Sequence, residues 1–353
     1  MKSKKVLLYG ANGYTAGLII ESAHLFNIHL ILAGRNEKAI SELGEKFGLH
    51  TRIFGLDNHN IILERLKDVD LVLHCAGPFI HTAHPMMKAC IAAGIHYMDI
   101  TGEISVFEMA ARLDEQAKEA GIQLMPGTGF DVVPTDCMAA KLKKEMPFAQ
   151  SLELAFAGLG GGLSHGTALT MIEGLGEGGA IRENGKIRRR PMGHKAKEIP
   201  FEKKPMFCMC IPWGDVSSAY YSTGIPNIEV YSAVKPSTYK LIKLQKYVNW
   251  IIRMEWFKNM ARRKVNSAPA GPDKARRAQS SMQVWGKVTD GQGKSIVKQW
   301  LGPEGYTFTA FSALYIAKQI LEGHYKIGFQ TPSMSYGTNL VDDIVAFIDE
   351  TSK

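Results

Sequence analysis

No stretch of the sequence approaches the roughly 20 consecutive apolar residues of a membrane-spanning helix, so no helical span is expected. After the basic residues 1–5 the apolar run is only Val6-Leu7-Leu8-Tyr9 before Gly10, too short for a signal peptide. The expected location is therefore the cytoplasm, with a peripheral membrane contact left open. Cysteine is scarce as well: Cys75, Cys90, Cys137, Cys208 and Cys210 are odd in number and mostly apolar in their surroundings. They read as reduced thiols rather than a disulfide framework. Cys208-Met209-Cys210 has no second pair to complete a zinc site, and no metal is expected. Internal repeats and low-complexity tracts are also missing.

What is present suits a globular protein of about two domains: 353 residues, 45% hydrophobic and 22% charged, with 35 glycines that imply many tight turns. The formal net charge of +8 could serve nucleic acid, an anionic membrane surface or a phosphorylated cofactor, and charge alone does not choose among them. Short apolar runs ending in glycine alternate with helical spacing through the first part of the chain. Residues 6–9, 30–33, 52–54, 70–75, 96–100 and 123–125 read as strands, and residues 15–26, 37–47, 61–66, 85–93 and 106–120 as helices, Pro85 falling in a first turn. Parallel neighbours need crossover connections, so this alternation predicts a doubly wound parallel sheet. Beyond about residue 150 the rhythm changes. Residues 281–289 and 296–301 alternate on either side of Asp290-Gly291-Gln292-Gly293, an antiparallel hairpin. Residues 239–264 read as one basic amphipathic helix or a pair, with further helices at 307–321 and 339–348.

Gly10-Ala11-Asn12-Gly13-Tyr14-Thr15-Ala16-Gly17 follows a strand and opens a helix. That context makes it a dinucleotide-binding turn of Rossmann type: Gly10 allows the turn, Gly13 lets the backbone approach a pyrophosphate, and the helix N-terminus faces the phosphates. One further absence decides the nucleotide. An NAD site carries an acidic residue at the end of the second strand, and here Gly34-Arg35-Asn36 stands in that place. A carboxylate would repel a 2′-phosphate, whereas a guanidinium can grip it with paired hydrogen bonds, so NADP is the expected cofactor. Ala76-Gly77-Pro78-Phe79 closes the fourth strand, where the nicotinamide half would approach.

These motifs resemble those of the saccharopine dehydrogenase-like oxidoreductases, in the branch that includes trans-acting enoyl reductases. The resemblance runs from the glycine turn through residues 33–36, 76–79, 89–103, 126–136 and 305–307 to 328–333. Ala16 stands at the third-glycine place, and Ala83 where the family often has glycine. The resemblance implies an α/β architecture of three parts: an NADP-binding Rossmann domain over residues 1–145, an inserted α+β substrate and dimerisation domain with an antiparallel sheet over 146–302, and a segment over 303–353 returning to the first domain. It implies hydride transfer to a C=N or C=C bond of an enoyl, lipid-like or amino-acid-conjugate substrate, and leaves a homodimer open. A non-catalytic NADP sensor or membrane-associated binding protein is the competing reading.

Such chemistry needs a proton donor beside the reacting bond. Asp99 and Glu103 follow the fifth strand at the ligand-binding edge, Tyr97 precedes them, and Asp131 follows the sixth strand; these four are the catalytic candidates. His165, after a glycine tract, is a candidate substrate contact. The basic helix of residues 239–264 is expected to pack its apolar face on the second domain rather than lie on a membrane. Lys186-Ile187-Arg188-Arg189-Arg190 is expected as a solvated loop, and no nucleic-acid partner is expected.

Overall fold

The computed structural model describes residues 4–174 and 176–351. In chain order the first elements are β1 (Lys5–Tyr9), α1 (Tyr14–Ser22), β2 (His29–Gly34), α2 (Glu37–Phe47), β3 (Thr51–Ile53), α3 (His59–Arg65), β4 (Leu71–His74), α4 (Phe79–Ala93), β5 (His96–Asp99), α5 (Ile104–Arg112), α6 (Asp114–Glu119) and β6 (Gln123–Met125). Next come α7 (Val133–Glu145), β7 (Ser151–Leu159), α8 (His165–Glu173), β8 (Gly179–Glu183), β9 (Lys186–Arg190), β10 (Ala196–Pro200), β11 (Pro205–Ile211), α9 (Asp215–Thr223) and β12 (Asn227–Ala233). The chain continues through α10 (Pro236–Ile252), α11 (Glu255–Asn266), α12 (Lys274–Ala278), β13 (Ser281–Thr289) and β14 (Ser295–Pro303). It closes with α13 (Gly305–Glu322), β15 (Gly328–Phe329), α14 (Pro332–Tyr336) and α15 (Leu340–Thr351).

Two compact units result: Met1–Val133 with Tyr306–Lys353, and Pro134–Gly305. The first division falls at the start of α7 rather than at residue 145. In the first unit seven parallel strands follow the order β15-β6-β5-β4-β1-β2-β3. β4 is buried at every position and β1 at all but its first, as strands covered by helices on both faces must be. The order reverses direction at β1, between β2 and β4. In open α/β sheets that switch point, beyond the carboxyl ends of the strands, is where ligands bind.

The C-terminal segment completes this unit. β15 extends the sheet beside β6, with Gly328 opposite Gln123. In α13, Ser312 Oγ donates to the Thr128 carbonyl at 2.7 Å, and Thr309 Oγ1 accepts from the Phe130 amide at 3.0 Å. Phe130 and Phe308 meet edge to face, their centroids 6.1 Å apart.

The second unit holds an eight-stranded sheet, β10-β11-β12-β7-β13-β14, with β8 joining it through β12 and β9 pairing β8. Its pairings are antiparallel except β12 with β7. The sheet is therefore mixed rather than purely antiparallel. The expected hairpin is β13–β14, in register from Ser281 opposite Pro303 to Thr289 opposite Ser295.

Three local expectations are corrected. Pro85 lies in the middle of α4, which begins at Phe79, because the helix start is fixed by a carboxylate from another element. The helix expected over 106–120 breaks at Leu113 (φ −93°, ψ 3°), and Asp114 beyond the break accepts the Phe329 amide of β15 at 2.7 Å. Residues 186–190 form strand β9 rather than a loop.

Candidate functional site

At the end of β1 the chain turns back on itself. The amides of Gly10 and Ala11 both donate to the Ala33 carbonyl of β2, at 2.8 and 3.1 Å, and the Gly13 amide closes the turn on the Gly10 carbonyl at 2.9 Å. Gly10 has a φ of +84°, and a Cβ placed on it would lie 2.7 Å from the Ala76 nitrogen. A side chain is thus excluded twice, by backbone conformation and by the approach of the segment after β4. Gly13 caps α1 without a side-chain hydrogen bond, and the first turn carries no acidic residue. Such a helix start presents backbone N–H groups and positive dipole to an anion.

Arg35 is exposed immediately beyond β2. Its charge acts on Tyr9, whose phenol donates to the Phe54 carbonyl at 3.1 Å and is pushed up to about 12 by burial, Arg35 opposing the rise. The side chain of Asn36, expected as a cofactor contact, accepts the Ala39 amide at 3.1 Å and caps α2. Gly34 packs against Ile40, a Cβ there falling 3.1 Å from Cδ1. Across the switch point Ala76 is half-buried and Gly77 exposed, Phe79 is buried, and the Gly77–Pro78 peptide is cis. Thr82 Oγ1 holds this segment by donating to the Ala76 carbonyl at 2.6 Å. Asn12 is exposed, and Tyr14 and Thr15 are half-buried at the mouth of the turn. The arrangement fits a dinucleotide. Gly10 and Gly13 leave no Cβ at the two positions where a pyrophosphate would approach, and Arg35 follows β2, where a 2′-phosphate would lie.

The catalytic candidates separate into two kinds. Asp99, the last residue of β5, is fully buried, and its carboxylate accepts from the Thr101 amide at 3.0 Å, the Gly127 amide at 2.9 Å and the Tyr97 hydroxyl at 2.8 Å. Burial pushes its carboxyl up to about 7, the donors pulling the other way. Tyr97 is also fully buried, its phenol raised well above the ordinary value by burial and by Asp99. Glu103 accepts the Phe79 and Ile80 amides, one on each carboxylate oxygen and both at 2.8 Å, so it caps α4. These three residues tie the strand ends together.

Asp131 is different. It sits in the turn between β6 and α7, partly accessible, with its carboxyl against Gly102, where an added Cβ would stand 3.1 Å from Oδ2. Desolvation pushes it up to about 7. In the second unit, His165 opens α8 with its Nε2 2.7 Å from the Ala268 carbonyl, which gives the ring an anchoring role.

Sequence reasoning missed His74. It ends β4 fully buried between the rings of Tyr9, Phe79 and Tyr97, 5.3 to 6.0 Å between centroids. Burial lowers it to about 3, a backbone interaction with Ala76 opposing, so the ring is neutral and packs as an aromatic. Only its place in an apolar run, Leu71-Val72-Leu73-His74, hinted at this.

Comparison with known proteins follows the same lines. Residues 6–125 match the family model described as the saccharopine dehydrogenase NADP binding domain. Among curated proteins, the chain is 26% identical over 203 residues to the saccharopine dehydrogenase-like oxidoreductase of Mus musculus, covering 50% of this chain and 47% of that protein. It is 27% identical over 217 residues to a lipid droplet localized protein of Caenorhabditis elegans, covering 55% and 50%. A trans-acting enoyl reductase of Mycobacterium ulcerans is 27% identical over 142 residues, covering 37% and 34%. The chain spans about half the length of the first two relatives and less of the third. The saccharopine dehydrogenase fold extends further than the domain: saccharopine dehydrogenase (L-Glu forming) of Saccharomyces cerevisiae superposes with a TM-score of 0.64 at 15% identity, covering 99% of this chain and 97% of that one.

Proposed function

We propose that the chain is an NADP-dependent oxidoreductase that reduces a C=N or C=C bond. The observation that carries this reading is the pairing of a glycine turn, whose Gly10 is pressed against Ala76 at the sheet's switch point, with Arg35 just beyond β2. Bound there, the reduced nicotinamide supplies a hydride to the substrate carbon. The protein's own part is to orient and to hold a proton. Of the two carboxyls pushed up to about 7 at this edge of the sheet, Asp99 is fully buried and Asp131 partly accessible, so Asp131 is assigned the proton. On reduction its O–H bond breaks and the proton passes to the substrate's other atom, leaving a carboxylate that solvent reprotonates. Asp99, Tyr97 and Glu103 position the loops around it.

The nucleotide half of the proposal is tested by calorimetric titration with NADPH and NADH, beside Arg35→Ala. The wild-type chain is expected to prefer NADPH, and the variant to lose about 2 kcal/mol of NADPH affinity, roughly thirtyfold, with NADH little changed. Equal affinity for the two nucleotides, or an unaltered variant, overturns the assignment of Arg35 to the 2′-phosphate.

A further inference from the structure

α11 packs basic as well as apolar residues inward. Lys258 and Arg262 occupy its packed side: Lys258 Nζ donates to the Glu173 carbonyl of α8 at 3.3 Å, and Arg262 Nη2 to Glu173 Oε1 at 2.6 Å. Phe257, Ala261 and Val265 of the same helix are half-buried, as an apolar stripe ordinarily is. Trp256 and Met260 are not part of that stripe and face solvent, 58% and 55% exposed. Leu241, Leu244 and Trp250 of α10 are exposed too, as is Met254 at the bend between the helices.

The charge around this apolar surface has one sign. Residues 235–278 contain twelve lysines and arginines against Glu255 and Asp273, a surplus of ten that exceeds the formal +8 of the whole chain. The rest of the protein is thus slightly acidic, and the basic charge is concentrated beside the exposed tryptophans. A second copy of the same surface would be repelled by it. An anionic one would be attracted, and tryptophan with its apolar body and polar N–H suits the boundary between headgroups and acyl chains.

We propose that α10 and α11 seat on an anionic phospholipid surface, Trp250, Trp256 and Met260 entering the interface while Lys240, Lys243, Arg263 and Lys264 meet lipid phosphates. This rests on the second unit alone and is independent of the nucleotide assignment.

The test is sedimentation of the full chain with vesicles of phosphatidylcholine alone or mixed with phosphatidylserine, with tryptophan emission as a second readout. Wild type is expected to bind the mixed vesicles, with a blue shift, and to release at high salt. Lys240→Glu with Lys243→Glu is expected to weaken binding by at least about fivefold per lysine, and Trp256→Ser with Met260→Ser to abolish the shift from that helix. Both variants change exposed residues and should bind NADPH as wild type does, which separates loss of docking from loss of fold. Variants that bind vesicles like wild type overturn the proposal. So does a chain that binds neither vesicle, including one whose self-association is lost in Trp256→Ser, since the surface is then an interface between copies.

Discussion

Asp131→Asn is expected to lower the rate of reduction by about 10²–10⁴-fold, the usual contribution of a positioned acid, while NADPH affinity stays within the error of titration. The substrate for the assay would come from imines and enoyl thioesters screened by NADPH absorbance. The pH dependence carries the sign. With its carboxyl at about 7, Asp131 is protonated and competent below that value, so the wild-type rate is level on the acid side and falls as pH rises through about 7. The asparagine variant should lose that limb along with most of the rate. A variant with the wild-type rate, or the same alkaline fall, would remove Asp131 from the chemistry.

The second large effect is on stability. Asp99→Ala leaves the Thr101 and Gly127 amides and the Tyr97 hydroxyl without their acceptor in a dry interior. Each such group costs about 1–3 kcal/mol, and because the three are coupled the total is expected at about 3–5 kcal/mol, a large share of an ordinary domain's stability. Asp99→Asn keeps an acceptor for the two amides and should cost about 1–2 kcal/mol. Urea denaturation followed by circular dichroism measures both. A full-strength melt for Asp99→Ala combined with lost activity would restore Asp99 to the catalytic candidates. Linkage adds a check. Folded Asp99 titrates near 7 and an unfolded aspartate near about 4, so the folded state holds the extra proton between them. Its stabilising contribution is whole below about 4 and lost as pH rises through about 7. That slope should be shallower in Asp99→Asn, which has no proton to bind.

The first unit was legible because its signals are local. A buried parallel strand is a short apolar run, and Val6-Leu7-Leu8-Tyr9 ending in Gly10 announces both the strand and the turn. Arg35 could be placed because strand end and nucleotide ribose are linked by fixed geometry. What stayed hidden depends on partners distant in sequence. The start of α4 is set by Glu103, not by any residue next to Phe79, so Pro85 was read as a helix beginning. Asp99 and Tyr97 look like a catalytic pair in sequence, and nothing next to them in the chain shows that Gly127 folds back to donate to the same carboxylate. β15 is a short pair of residues, made a strand by the Ile122 and Leu124 carbonyls, far back in the chain. For α11, composition showed amphipathicity but not the inward packing of Lys258 and Arg262, because Glu173, which draws them, belongs to another helix.

The stitching of Thr128 and Phe130 to Thr309 and Ser312 has an evolutionary side. These are the last residues before the chain leaves the nucleotide fold and nearly the first after it comes back. Exit and re-entry are therefore fastened side by side within the first unit, on either side of residues Pro134–Gly305 in the chain. Ends held together this way make a domain insertion tolerable. The host can carry a different cassette, longer or shorter, without relearning how to fold, and one nucleotide-binding module can thereby be reissued for many substrates.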